Sequence, residues 1–109
     1  MKKWKVVLSD AAETDLDKIY LYIAEVLLEP RIAWRQIERI RETILKLDEM
    51  PERGTLLPDE PWHSRGLRRL IVDNYLIIYE IMEQSDTVAV IAVLYSKRNI
   101  GEVLTIEGR

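Results

Sequence analysis

Cysteine is absent from this chain of 109 residues, which excludes a disulfide framework, thiolate chemistry and a cysteine-built zinc site. No apolar run approaches the ~20 residues that a membrane-spanning helix requires. The opening MKKWKVVLSD has an apolar stretch too short, and too soon followed by acid, for a signal peptide. These absences fit a cytoplasmic protein with no membrane partner. Basic charge is not in excess either, since 16 Lys and Arg stand against 19 Asp and Glu for a formal net charge of −3. Proteins that track phosphates draw much of their affinity from net positive charge. The balance therefore argues against a general polyanion binder and against sequence-specific DNA binding by this chain alone. No motif for a cofactor or a metal is present, and neither is expected. What remains, 48% hydrophobic and 32% charged residues, is the composition of a folded protein, at a length suited to one domain over residues 1–109.

Periodicity assigns the elements. Residues Lys3 to Leu8 read as a short strand. Asp10 and Glu13, three apart, resemble a capping box with Asp in place of Ser or Thr, and they open a helix whose apolar positions Ala12, Leu16, Ile19, Tyr20, Ile23, Ala24 and Leu27 step by threes and fours. Asp15, Asp17, Lys18 and Glu25 fall on its other faces, and Pro30 is expected to end it. A second helix, from about Ile32 to Glu49, carries the stripe Ala33, Ile37, Ile40, Ile44 and Leu47. The short connection makes the two an antiparallel hairpin. Proline and glycine, only four of each, then concentrate as Pro51, Gly54, Pro58 and Pro61, which predicts a loop to Arg65 pinned by Leu56, Leu57 and Trp62.

The last third reads as three antiparallel strands. Gly66 to Val72 leads through the turn pair Asp73-Asn74 into Tyr75 to Met82, and polar residues Glu83 to Thr87 deliver the chain into Val88 to Ser96. The order β-α-α-β-β-β predicts an α+β domain: a helical hairpin packed on a mostly antiparallel four-stranded sheet. Tyr75 to Ile81 is apolar at nearly every position, so it is placed centrally, with its second face covered by the C-terminal tail or by a partner. The tryptophans and tyrosines are assigned mostly to the core.

Arginines frame this block. Arg65, Arg68 and Arg69 stand at its entrance and Lys97-Arg98 at its exit, with Tyr95 beside them. Paired strands are expected to bring these residues into a local basic patch, a candidate surface for a target or an acidic partner. Each arginine of the entrance also has a structural reading, as a solvated strand edge paired with Asp59, Glu60 or Asp73. Arg31, Arg35 and Arg39 form an i, i+4, i+8 row on the second helix, read as a solvated face interleaved with Glu38 and Glu42. His63 is the one side chain that titrates near neutrality at its unperturbed pKa, and its loop position reads as plain surface.

Taken in order, LSDAAETDLDKIYLYIAE, AWRQIERIRETILKLDEMPERG, GLRRLIVDNYLIIYEI and VIAVLYSKRN resemble the RelE/ParE superfamily of toxins over the whole chain. The resemblance implies the toxin of a type II toxin–antitoxin (plasmid stabilisation) module, arresting growth when free of its cognate antitoxin. Two outputs belong to that superfamily: inhibition of DNA gyrase, and cleavage of messenger RNA on the ribosome. RNA cleavage without metal needs a base for the 2'-hydroxyl, cations for the phosphorane and an acid for the leaving oxygen. In the ribonuclease branch an arginine follows the residue that opens the middle strand, where this chain has Leu76, and a terminal aromatic often acts where the tail reads IGEVLTIEGR. Arg68, Arg69 and Arg98 are the candidates to face phosphate, without an evident acid/base pair. The expectation is therefore the gyrase-type output, with no enzyme activity; the alternatives are a ribosome-dependent endoribonuclease and a non-toxic antitoxin-binding module.

Overall fold

The computed structural model describes residues 2–109. In chain order its elements are β1 (Lys5–Leu8), α1 (Asp10–Leu21), α2 (Pro30–Leu45), β2 (Thr55–Leu56), α3 (Trp62–Arg65), β3 (Arg68–Val72), β4 (Tyr75–Met82), β5 (Thr87–Tyr95) and α4 (Ile100–Ile106). One sheet runs β1-β5-β4-β3-β2, with β1 parallel to β5 and every other pair antiparallel. The α+β class and the helical hairpin are as the periodicity predicts. The sheet has a fifth strand, because Thr55 and Leu56 pair with Arg69 and Arg68 at the start of β3. Two residues are too few to leave a period-2 signal.

Helix boundaries differ from expectation for identifiable reasons. Ser9, not Asp10, caps α1, its Oγ accepting from the Ala12 N–H at 3.1 Å, while Asp10 sits in the first turn against the positive end of the helix dipole. Beyond Leu21 the chain loosens into a π-helical turn, Tyr22–Val26, and stops at Leu28, whose φ of 57° is left-handed. Pro30 does not end α1; it starts α2, where its fixed φ suits a first helical position and its missing N–H has no intrahelical partner to lose. The second helix tightens into a 3₁₀ turn over Lys46–Asp48.

Alternation along β3, β4 and β5 divides the core in two. Toward the helical hairpin, Ile77, Tyr79, Val88 and Val90 pack on Leu16, Ile40, Ile44 and Leu47. On the opposite face, Leu76, Ile78, Ala92 and Leu94 lie beneath Leu57, Leu67, Val103 and Leu104. The tail is thus the second cover of β4, folded as α4 with Asn99 as its cap, Oδ1 accepting from the Glu102 N–H at 3.0 Å. Tyr79 is fully buried and its hydroxyl donates to the Pro51 carbonyl (2.6 Å) and accepts from the Gly54 N–H (2.9 Å), which fastens the segment after α2 to the sheet. Gly54 is required there by close approach: a Cβ would strike the Tyr79 hydroxyl and come within 2.6 Å of the Arg69 carbonyl oxygen. Trp4, Tyr75 and Trp62 are partly buried against the two clusters, whereas four other aromatics are not core. Trp34 and Tyr22 are more than half exposed, and Tyr20 and Tyr95 also face solvent.

Candidate interaction site

Strand direction separates the basic residues that the sequence suggested would meet. Both β3 and β5 run antiparallel to β4, so they run the same way, and the entrance of one lies at the opposite end of the sheet from the exit of the other. Arg68 stands opposite Tyr79, whereas Tyr95 stands opposite Tyr75. Arg68 donates to the carbonyls of Gly54 (2.7 Å) and Glu52 (3.3 Å), holding the turn before β2. Arg69 projects from the other face of β3, beside Trp62, Leu57 and Gly101. Arg65 on α3 comes within 3.8 Å of the Glu80 carboxylate, and Arg98 within 3.8 Å of Glu107; Lys97 is exposed. The expected basic patch is therefore not formed.

Two of the three acids expected to pair with these arginines, Asp73 and Glu60, are engaged elsewhere, while Asp59 lines the same small cavity as Arg69. Asp73 accepts both guanidinium donors of Arg39 at 2.9 Å and the Gln36 amide at 2.9 Å, which pins the β3–β4 turn to α2; these bonds hold its carboxyl below the usual range. Glu60 accepts from the Ser64 hydroxyl and N–H, which lowers its carboxyl likewise. His63 Nδ1 lies 2.8 Å from the Leu57 carbonyl, so that nitrogen carries the proton and bonds the loop, a structural role.

Tyr95 and Arg98 do belong to a site, a cleft of 710 Å³ between the C-terminal end of α1 and the adjoining ends of β4 and β5. Ile19, Ile23 and Leu27 form its helical wall, Tyr75 and Leu94 its sheet wall, and Lys18 and Arg98 its charged rim. Tyr75 and Tyr95 meet edge to face, ring centroids 6.1 Å apart, and burial pushes the Tyr75 hydroxyl pKa up. The π-helical turn contributes Tyr22 and Ile23 to the wall, the kind of local widening often found at functional sites. Sequence reasoning missed the helical half because Ile19, Ile23 and Leu27 are also what a core stripe looks like.

The cleft lies against a strand that outruns its neighbour. Pairing with β1 ends at Leu8 opposite Val90, and β5 continues to Tyr95. Side chains close the next groups: Ser9 Oγ donates to the Ile91 carbonyl (3.4 Å), and Asp15 Oδ2 accepts from the Val93 N–H (2.9 Å). The Asp15 side chain is buried, and its counterion is Arg109, whose side chain is buried to the same degree and reaches both carboxylate oxygens from just past α4.

Residues 6–100 match the family model described as "ParE toxin of type II toxin-antitoxin system, parDE". The chain belongs to that family. Among solved structures, this ParE-family toxin is similar to the chromosomal ParDE system from P. aeruginosa (TM-score 0.72, 20% identity, 89% of this chain and 100% of that one). It is also similar to the RelBE2 toxin–antitoxin complex of Mycobacterium tuberculosis (TM-score 0.65, 24% identity, 87% and 93%) and to the isolated E. coli RelE toxin (TM-score 0.58, 14% identity, 96% and 97%). These likenesses establish a shared fold. No curated protein matches the sequence. In this ParE-family toxin the position singled out by the resemblance, Leu76, is 5% exposed and packs with Leu94, Val103 and Leu104 beneath α4.

Proposed function

We propose that this toxin arrests growth in the cytoplasm by binding DNA gyrase, and that a cognate antitoxin holds it inactive. The observation that carries the reading is Leu76, sealed in an apolar cluster under α4. A charge there would be buried without a partner, so position 76 offers no phosphate-facing cation in the present packing. Of the candidate groups for RNA cleavage, Arg68 is committed to backbone carbonyls and His63 Nδ1 to the Leu57 carbonyl. Loss of one preorganised transition-state donor commonly lowers a rate by ~10² to 10³. Both the family match and the partner chains in the similar ParDE and RelBE2 structures support an antitoxin. Among the described residues, no helix is long and apolar enough to cross a membrane.

The test sets primer extension on a message translated by purified ribosomes beside a gyrase supercoiling assay at equal toxin concentration. Inhibition of supercoiling with uncut transcripts is the expected result. Codon-positioned cuts, abolished by Arg69→Ala or Arg98→Ala, would establish the endoribonuclease reading instead, and inactivity in both assays with growth unaffected would leave an antitoxin-binding module.

A further inference from the structure

Four arginines lie on α2, and only two of them have acidic partners. Arg39 bonds Asp73 at 2.9 Å and Arg41 lies 3.1 Å from Glu13, whereas Arg31 and Arg35 have no acid in salt-bridge range among the described residues. These two stand one turn apart at the start of the helix, where the macrodipole is already positive and no acidic residue occupies the first turn. Like charges at i and i+4 repel, so the pair weakens the helix that carries it. Trp34 shares their face, three residues after Arg31 and more than half exposed. It is outside the core because the buried stripe of Ala33, Ile40 and Ile44 turns toward the sheet, and residue 34 lies about 100° around the helix from residue 33. With Tyr20 of α1 and Pro30, Trp34 forms a shallow groove of 450 Å³ that both arginines line. No residue of this groove lines the cleft beside Tyr75.

Trp, Tyr and Arg are the side chains that dominate the energetics of protein–protein contacts, and here they converge with their charges unanswered. We propose that this groove is the surface by which the toxin engages gyrase, and that it receives an acidic segment of that target. Arg31 and Arg35 are one helical turn apart, so the segment presents two carboxylates about 6 Å apart, with an apolar side chain between them against Trp34 and Tyr20. The proposal rests on the gyrase reading above and gives it a place on the toxin and a chemistry on the target. A second copy of the chain does not suit the groove, since a two-fold contact would set Arg31 and Arg35 against their own copies. Nor does a nucleic acid, because Glu29 and Glu38 are exposed on either side and the chain carries a net charge of −3.

The experiment uses the intact toxin in the supercoiling assay, with affinity for the antitoxin encoded beside it measured on the same proteins. The double variant Arg31→Glu/Arg35→Glu should raise the concentration for half-inhibition at least ~30-fold, and Trp34→Ala at least ~10-fold, losses typical of an interface centre. Arg35→Gln removes one member of the repelling pair, so its melting temperature should equal or exceed that of the wild type while inhibition weakens, which a structural arginine would not give. Arg41→Gln, on the same helix but outside the groove, should inhibit as the wild type does, and every variant should keep its affinity for the antitoxin. Undiminished inhibition by the charge-reversed and Trp34→Ala proteins overturns this proposal and leaves the gyrase reading intact. A wild type that leaves supercoiling untouched overturns both. Loss of antitoxin affinity in place of inhibition would assign the groove to the antitoxin, and wild-type binding to the plasmid without gyrase, abolished in the double variant, would assign it to DNA; either result also overturns the proposal.

Discussion

Asp15 shows how much a single side chain can do once its surroundings are known. It satisfies the Val93 N–H on an otherwise open strand edge, and Arg109 neutralises it. Removing one member of a buried pair leaves the other charged and unpaired, so Arg109→Ala should lower stability by about 3 kcal/mol, read from urea denaturation. Tyr79→Phe strands the Gly54 N–H and the Pro51 carbonyl together, and a loss of about 1–3 kcal/mol is expected in the same measurement. Periodicity placed Tyr79 in the core and Asp15 on the outer faces of α1. The first placement was legible because Tyr79 lies in the middle of a strand that is apolar at nearly every position. The second was not, since a partner 94 residues away leaves no local mark on an aspartate.

Among the elements, those whose apolar residues repeat over several turns or alternate over several residues were legible: both long helices and the three strands of the meander. The remainder took their form from contacts. Strand β2 exists because β3 offers an edge, and α4 is a helix because Asn99 caps it and the sheet gives Val103 and Leu104 an apolar bed. Leu104→Ala should therefore loosen α4 at a cost of about 2–5 kcal/mol. Dye binding to the newly exposed sheet face, rising with the loss in melting temperature, would verify that α4 is the cover. The β3–β4 turn is tied to α2 by Asp73, whose carboxyl pKa is depressed chiefly by its hydrogen bond to Arg39 and then by that to Gln36. A depressed pKa means stability that is present above the ordinary aspartate range and lost as pH falls through the lower, folded value. The gap in stability between wild type and Asp73→Asn should accordingly be constant near neutrality and close in strong acid; a gap that persists there would dissociate the effect from titration.

For the whole molecule, order and spacing of the elements were enough to reach the family, yet they misplaced the basic residues, because adjacency in sequence blocks says nothing about which end of a sheet each block occupies. Strand direction decides it, and it divides the arginines into two kinds. Arg68 is a structural cation spent on two backbone carbonyls, whereas Arg98 is exposed at the rim of the cleft. Their alanine variants should differ accordingly. Arg68→Ala should lose about 1 kcal/mol or more, since the part-buried Gly54 carbonyl is left without its donor, and any loss of growth arrest should follow the loss of folded protein. Arg98→Ala should stay within about 0.5 kcal/mol of wild type, as exposed positions generally do, while growth arrest on induction or affinity for the antitoxin falls. Equal growth arrest and equal antitoxin affinity in a folded Arg98→Ala protein would remove Arg98 from the functional surface, and a large drop in its melting temperature would make it structural like Arg68.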